Sequence, residues 1–281
     1  MVGQVVTEPM DWEICLSECN GGKWNWQSDR VCRLLSFATS ILSHLTRSHR
    51  VATEMVAERF SPGSKKGTEK PDMLQSFINH GITQEEAVFE SIITILGGSD
   101  TMAIAIRATM LFIITNPHVY GKLQAEIDDA VKTGAISDPV IKDSEARELP
   151  YLQAVIREGL RIFPPGTGQM PKLSPPEGDI VNGIFIPGGM NVGTNPWAIM
   201  RSSENFGQDS EVFRPERWLE ASPKKRKEME YVFELIWAYG KYKCLGQSIA
   251  IMELNKIFFE VCTFRSVALG GITKSKANTL V

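Results

Sequence analysis

The sequence predicts a mainly α fold with a small β-sheet. Two observations carry this. Apolar residues recur at helical spacing through long stretches, and one region, Asp179 to Ile186, changes to a period of two. No internal repeat or low-complexity tract is present.

Taken in order, residues 1–27 carry little signal, and Gly21 to Trp26 reads as loop. Arg30 to Phe60 reads as helix, with Leu34, Leu35, Ala38, Ile41, Leu42 and Leu45 at helical spacing. Ser61 to Asp72 is a polar linker rich in Pro, Gly and Lys. Thr83 and Glu86 form a capping box, and a long helix follows to about Thr115, ended by Asn116-Pro117. Val119 to Val131 is a second helix, and Leu149 to Ile162 a third, stopped by Pro164-Pro165. Asn182-Gly183 suits the type I′ turn of a hairpin over Asp179 to Ile186. Met190 to Thr194 reads as a short strand, and Gly246 to Cys262 as a final amphipathic helix.

With 281 residues, 43% hydrophobic and 22% charged, the chain can bury a sizeable core. A net charge of -3 gives no reason to expect nucleic acid as a partner. Cys15, Cys19, Cys32, Cys244 and Cys262 are odd in number and irregularly spaced, which argues against a disulfide scaffold and for a reducing compartment. Met1 to Leu16 lacks the basic start and apolar run of a signal peptide. Ile92 to Thr115 is apolar but interrupted by Asp100 and Arg107, so it reads as a buried helix with no membrane span.

Four elements could carry chemistry. Cys244 lies between Gly240 and Gly246, which let the backbone turn tightly and approach a flat ligand. The final helix begins just afterwards, and its N-terminal dipole, with Lys241 and Lys243, would favour a thiolate. A plain buried cysteine before a helix reads equally well. Glu158 and Arg161 share one helix face within salt-bridge reach, which is usually structural. Phe213-Arg214-Pro215-Glu216-Arg217-Trp218, taken alone, is a surface loop. Gly97-Gly98-Ser99-Asp100-Thr101 sits mid-helix, where glycines and short polar side chains can open the helix locally. That suggests a site, and a close helix–helix crossing is the plainer alternative.

All four occur together in this order. The arrangement resembles the cytochrome P-450 family, whose members carry Ala/Gly-Gly-x-Asp/Glu-Thr, then Glu-x-x-Arg, then Pro-Glu-Arg-Phe, then Phe-x-x-Gly-x-x-x-Cys-x-Gly. The resemblance covers residues 57–261, the C-terminal haem-binding half, and so implies a partial cytochrome P-450 fold. Residues 1–56 match poorly, and 262–281 read as an atypical polar tail. Leu149 to Val155, Phe213 to Trp218 and Tyr239 to Gly246 look most like fungal members, the pisatin-demethylase-like group among them.

The resemblance implies haem b held by Cys244 as axial ligand, O2 as co-substrate, and a small apolar substrate. Electrons would come from NADPH through NADPH-cytochrome P-450 reductase. It implies that Thr101 and Asp100 order water and deliver protons, and that Glu158, Arg161 and Arg217 form a buried ion triad. Gly97 and Gly98 would flatten the long helix against the porphyrin. Trp237 stands where the family has Phe, and Tyr242 where many members have a propionate-binding Arg or His, with Lys172 a substitute propionate partner. The family suggests the cytosolic face of the endoplasmic reticulum membrane, and the chain as given, without an anchor, the cytoplasm. The competing expectation is a truncated, non-catalytic fragment that binds haem weakly or not at all. His44, His49, His80 and His118 read as surface residues, Lys224 to Lys227 as a solvated loop, and Cys15, Cys19 and Cys32 lack a histidine at zinc spacing.

Overall fold

The computed structural model describes residues 46–61, 63, 72–134, 136–137, 139–168 and 171–277, with side chains to residue 263. The readings of Gly21 to Trp26, of residues 30–45 and of most of the linker lie outside the described residues. So do Cys15, Cys19, Cys32 and His44. The chain divides into two compact units, Met1–Ile95 and Leu96–Val281.

In the first unit residues 46–60 are helical (α1), followed by α2 (Met73–Asn79) and the start of α3 (Gln84–Thr115). Val56, Leu74 and Ala87 close a small core, and Arg59 is paired with Asp72 at 2.7 Å. The Thr83 capping box forms: Glu86 N–H donates to Thr83 Oγ1 at 3.3 Å, and Thr83 N–H to the Glu86 carboxylate at 2.9 Å.

The second unit continues with α4 (Pro117–Lys132), α5 (Asp143–Arg147) and α6 (Pro150–Ile162). Proline is the first residue of both α4 and α6, where its missing N–H costs nothing. Helix α6 is buried on nearly every side. Glu126 of α4 accepts from Tyr151 N–H and Leu152 N–H, both at 2.8 Å, and so caps its start. Partial burial pushes the Glu126 carboxyl up, against the pull of those two N–H groups. Where α6 meets α3, Gly159 faces Thr109; a methyl there would sit 2.1 Å from Thr109 Oγ1.

Four short strands follow. β2 (Asp179–Val181) and β3 (Ile184–Ile186) form the expected hairpin, with Asn182 and Gly183 at φ 51° and 80°. β4 (Asn191–Val192) pairs with β1 (Lys172–Leu173), which the sequence did not announce, so the described residues form two two-stranded sheets rather than one. Then come α7 (Pro196–Ile199), α8 (Ser203–Phe206), α9 (Glu216–Glu220), α10 (Pro223–Phe233) and α11 (Gln247–Ala277). Asn255 locks α11 in place: it donates to Asp143 at 2.7 Å and accepts from Gln153 at 2.9 Å.

Several expectations need correction. Lys224 to Lys227 lie in α10, not a loop; Ser222 caps the helix, and Met229 and Phe233 bury its inner face. The tail is helical to Ala277. Helix α3 runs unbroken through Gly97 and Gly98, because every residue there keeps helical pairing. Nor is α3 a buried helix. Met102, Ala105, Thr109 and Ile113 form its one buried stripe in the second unit, whereas Ile104, Leu111 and Ile114 face outward. By length and composition alone, α3 is long and apolar enough to cross a membrane.

Candidate active site

Glu158 and Arg161 are one turn apart on α6, and both side chains are wholly buried. Arg161 Nε and Nη2 grip the Glu158 carboxylate at 2.9 and 2.8 Å. Arg217 Nε, from α9, reaches the same carboxylate at 2.9 Å. Two groups that the sequence did not single out complete it: Trp218 Nε1 and Arg214 N–H, each donating at 2.9 Å. Burying a carboxylate is tolerable only when its lone pairs are filled in this way.

The remaining donors of the arginines hold the segment before α9. Arg161 Nη1 donates to Met200 O and Ser210 O at 2.6 and 2.7 Å. Arg217 donates to Phe206 O at 2.6 Å, to Val212 O at 3.0 Å and to the Asp209 carboxylate at 2.9 Å. Partial burial would raise the Asp209 carboxyl, but Arg217 and Arg214 outweigh it and hold it below the usual range. Asp209 was missed because nothing in its local pattern shows that two arginines return to it.

A 3-10 turn, Glu234–Trp237, leads into the cysteine loop, and a second, Gly240–Tyr242, lies within it. Gly240 sits at φ 60°, where a side chain would be strained. Cys244 N–H donates to Trp237 O at 2.7 Å, which closes the loop. The Cys244 side chain is exposed and outside any disulfide, so it is not the buried cysteine of the plainer reading. A methyl on Gly246 would lie 3.9 Å from Cys244 Sγ. The absence of that methyl leaves the flank of the sulfur clear.

Lys172 of β1 and Tyr242 of the loop are brought together, with Lys172 Nζ 4.8 Å from the centre of the Tyr242 ring. Lys241 Nζ lies 5.1 Å from the same ring, and Lys243 pairs with Glu234 at 3.6 Å. Both loop lysines therefore have partners other than the cysteine. On α3, Gly97, Gly98, Asp100 and Thr101 are all exposed. Thr101 Oγ1 donates back to Gly97 O at 2.5 Å. Among the described residues no hydrogen bond or ring contact joins Asp100 or Thr101 to the cysteine loop. His49, His80 and His118 are exposed, as expected, and the described residues hold no His/Cys/Asp/Glu metal cluster.

The residues present fit a haem. An open thiol lies just ahead of a long helix, the flank of its sulfur is clear, and a methyl on Gly97 or Gly98 would meet nothing within 4 Å beyond its own helix. Comparison with known proteins agrees. The cytochrome P-450 family pattern matches residues 24–262. The chain is 46% identical over 208 residues to the cytochrome P-450 monooxygenase ABA1 of Pyricularia oryzae, covering 74% of this chain and 40% of that protein. It is 47% identical over 211 residues to the cytochrome P-450 monooxygenase aba1 of Botryotinia fuckeliana, covering 75% and 41%. With the cytochrome P-450 monooxygenase abl1 of Leptosphaeria maculans it shares 42% over 209 residues, covering 74% and 36%. The chain thus spans about two-fifths of the length of these relatives. The match extends beyond the resemblance seen at residues 57–261 in both directions, and the chain belongs to the cytochrome P-450 family, of the fungal type.

Proposed function

We propose that this chain forms the haem-thiolate part of a monooxygenase that places one oxygen atom of O2 into a small apolar organic substrate. The observation that carries this reading is the cysteine loop: an exposed thiol, whose backbone N–H is held by Trp237 O and whose flank is left clear by Gly246. Haem, when bound, supplies dioxygen activation, and a thiolate ligand favours cleavage of the O–O bond.

Cys244 would hold the haem iron through its sulfur, with Trp237 as the aromatic neighbour of the loop. Gly97 and Gly98, without side chains, would let the porphyrin lie close to the helix. Lys172 and Tyr242 would meet the propionates together, the ammonium supplying the charge that a phenol lacks and the phenol a hydrogen bond. Thr101 uses its own proton on Gly97 O, so its oxygen could accept from a water that Asp100 would also hold. Glu158, Arg161 and Arg217 touch no substrate; they fix the segment before the cysteine loop. Electrons would arrive from NADPH through NADPH-cytochrome P-450 reductase, at the cytosolic face of the endoplasmic reticulum membrane.

A second reading, a chain that keeps the motifs but binds haem weakly or not at all, is favoured by the exposed apolar residues. Leu111 and Ile114 on α3 are 56% and 53% exposed, and Ile180, Ile184 and Phe185 on the hairpin are 69%, 66% and 62% exposed. Haemin titration of the full chain, followed by the reduced carbon monoxide spectrum, separates the two. The first reading requires a stoichiometric thiolate-type band that Cys244→Ser removes. No such band in the parent would establish the second.

A further inference from the structure

Two non-glycine residues in the described chain have positive φ. Asn182 belongs to the hairpin turn, which demands that conformation. Ala238 has no such excuse. At φ 59° and ψ -172° it occupies a region that is open essentially to glycine alone. It does so at the C-terminal cap of the 3-10 turn Glu234–Trp237, where its N–H donates to Leu235 O at 3.0 Å. Such a conformation persists only where the surroundings impose it. On one side Ile236 and Trp237 are packed against the core. On the other, Trp237 O receives Cys244 N–H at 2.7 Å, the one backbone bond that holds the cysteine to the preceding turn. Within the enclosed loop, Tyr242 N–H reaches Tyr239 O at 3.3 Å and Lys243 N–H reaches Gly240 O at 3.1 Å.

We infer that Ala238 is a positioning residue for Cys244: its glycine-like backbone turns the chain so that the Trp237 carbonyl meets the Cys244 N–H and fixes where the sulfur stands. The inference rests on the reading of Cys244 as the haem ligand, but its geometry is testable without haem. Ala238 touches no reacting atom. It acts through the direction in which the loop leaves Trp237. A β-branched side chain in its place would add clashes at positive φ that a single methyl does not.

The test uses the full chain, with and without added haemin, and the variants Ala238→Gly and Ala238→Val. Hydrogen exchange at the Cys244 amide reads the loop directly. Protection should be kept in Ala238→Gly and fall about tenfold or more in Ala238→Val. With haem, Ala238→Val should convert most of the thiolate-type carbon monoxide band to the thiol type, and Ala238→Gly should keep the thiolate band. An unchanged Cys244 amide in Ala238→Val overturns the inference, as does an amide that exchanges equally fast in both variants. If the parent gives no thiolate band, the haem assignment fails, while amide exchange still decides whether Ala238 sets the position of Cys244. If Ala238→Val does not accumulate, Ala238→Gly decides alone. Relief of strain predicts a melting temperature a few degrees higher with Cys244 still protected, and a lower one overturns the inference.

Discussion

Glu158 and Cys244 stand at opposite extremes of the same unit. The Glu158 carboxylate is wholly buried and filled by donors from Arg161, Arg214, Arg217 and Trp218. Cys244 is exposed, and among the described residues its sulfur is in no disulfide. A charge placed in the interior must be fully satisfied by its own protein, or folding fails. A group meant to bond with something else must be left incomplete. On the proposed reading, saturation marks a structural site here and openness a chemical one. Substitutions at the two kinds of site should separate stability from chemistry.

The largest effect is expected at the saturated site. Arg161→Ala removes two donors and the nearer positive charge from the buried Glu158 carboxylate and frees the Met200 and Ser210 carbonyls, which should cost about 3–5 kcal/mol. Little folded protein should accumulate, and chemical denaturation of what remains should show the loss. A variant that melts like the parent would break the comparison.

Next is Gly159→Ala, between Glu158 and Arg161. Its methyl would fall 2.1 Å from Thr109 Oγ1 and drive α3 and α6 apart. A loss of about 1–3 kcal/mol is expected, read from the denaturation midpoint.

A smaller effect belongs to Glu145, whose carboxyl is lowered to about 2, first by the Ser137 hydroxyl and then by the Ser137 and Lys142 N–H groups. A lowered carboxyl contributes stability that is present above its unfolded value, ordinarily about 4.5, and lost as pH falls towards about 2. Stability measured across that window should fall less steeply in Glu145→Gln than in the parent. Equal slopes would remove Glu145 from the acid response.

The smallest change in stability, within about 0.5 kcal/mol, should accompany Thr101→Ala, since the residue is exposed. Its effect should appear in chemistry alone. In a complete protein bearing this helix, reductant should be consumed with peroxide released in place of product. Coupling equal to the parent would take Thr101 out of proton delivery.

Much of the fold was legible where the signal is local. The Thr83–Glu86 box, the Asn182-Gly183 turn and the prolines at 117 and 164 each act within a few residues, and each bounds its element where expected. β1 was not legible, because two residues announce nothing until Val192 and Asn191 pair with them. Lys224 to Lys227 misled because charge was weighed above capping; Ser222, Pro223 and the Met229–Phe233 spacing already described a helix. The cover of α3 was illegible for a different reason. Apolar residues on several sides demand neighbours without naming them. At the site, motif spacing pointed to Glu158, Arg161 and Arg217, which do meet, but not to Asp209, Gly159 or Ala238. Those three depend on partners or dihedral angles that exist only in the folded chain.

The arginine clasp also bears on how the chain reaches that state. Arg161 holds carbonyls at Met200, Ser210 and Val212, which are 39, 49 and 51 residues further along. Closing loops of that length costs entropy before any bond returns it, and non-local closure of this kind slows folding. Residues 200–212 carry their own turns and the local bonds of Arg201 and Ser210, but their attachment to α6 waits on Arg161. Docking of this segment is therefore expected late in folding, and until then the Glu158 carboxylate would be hydrated rather than enclosed.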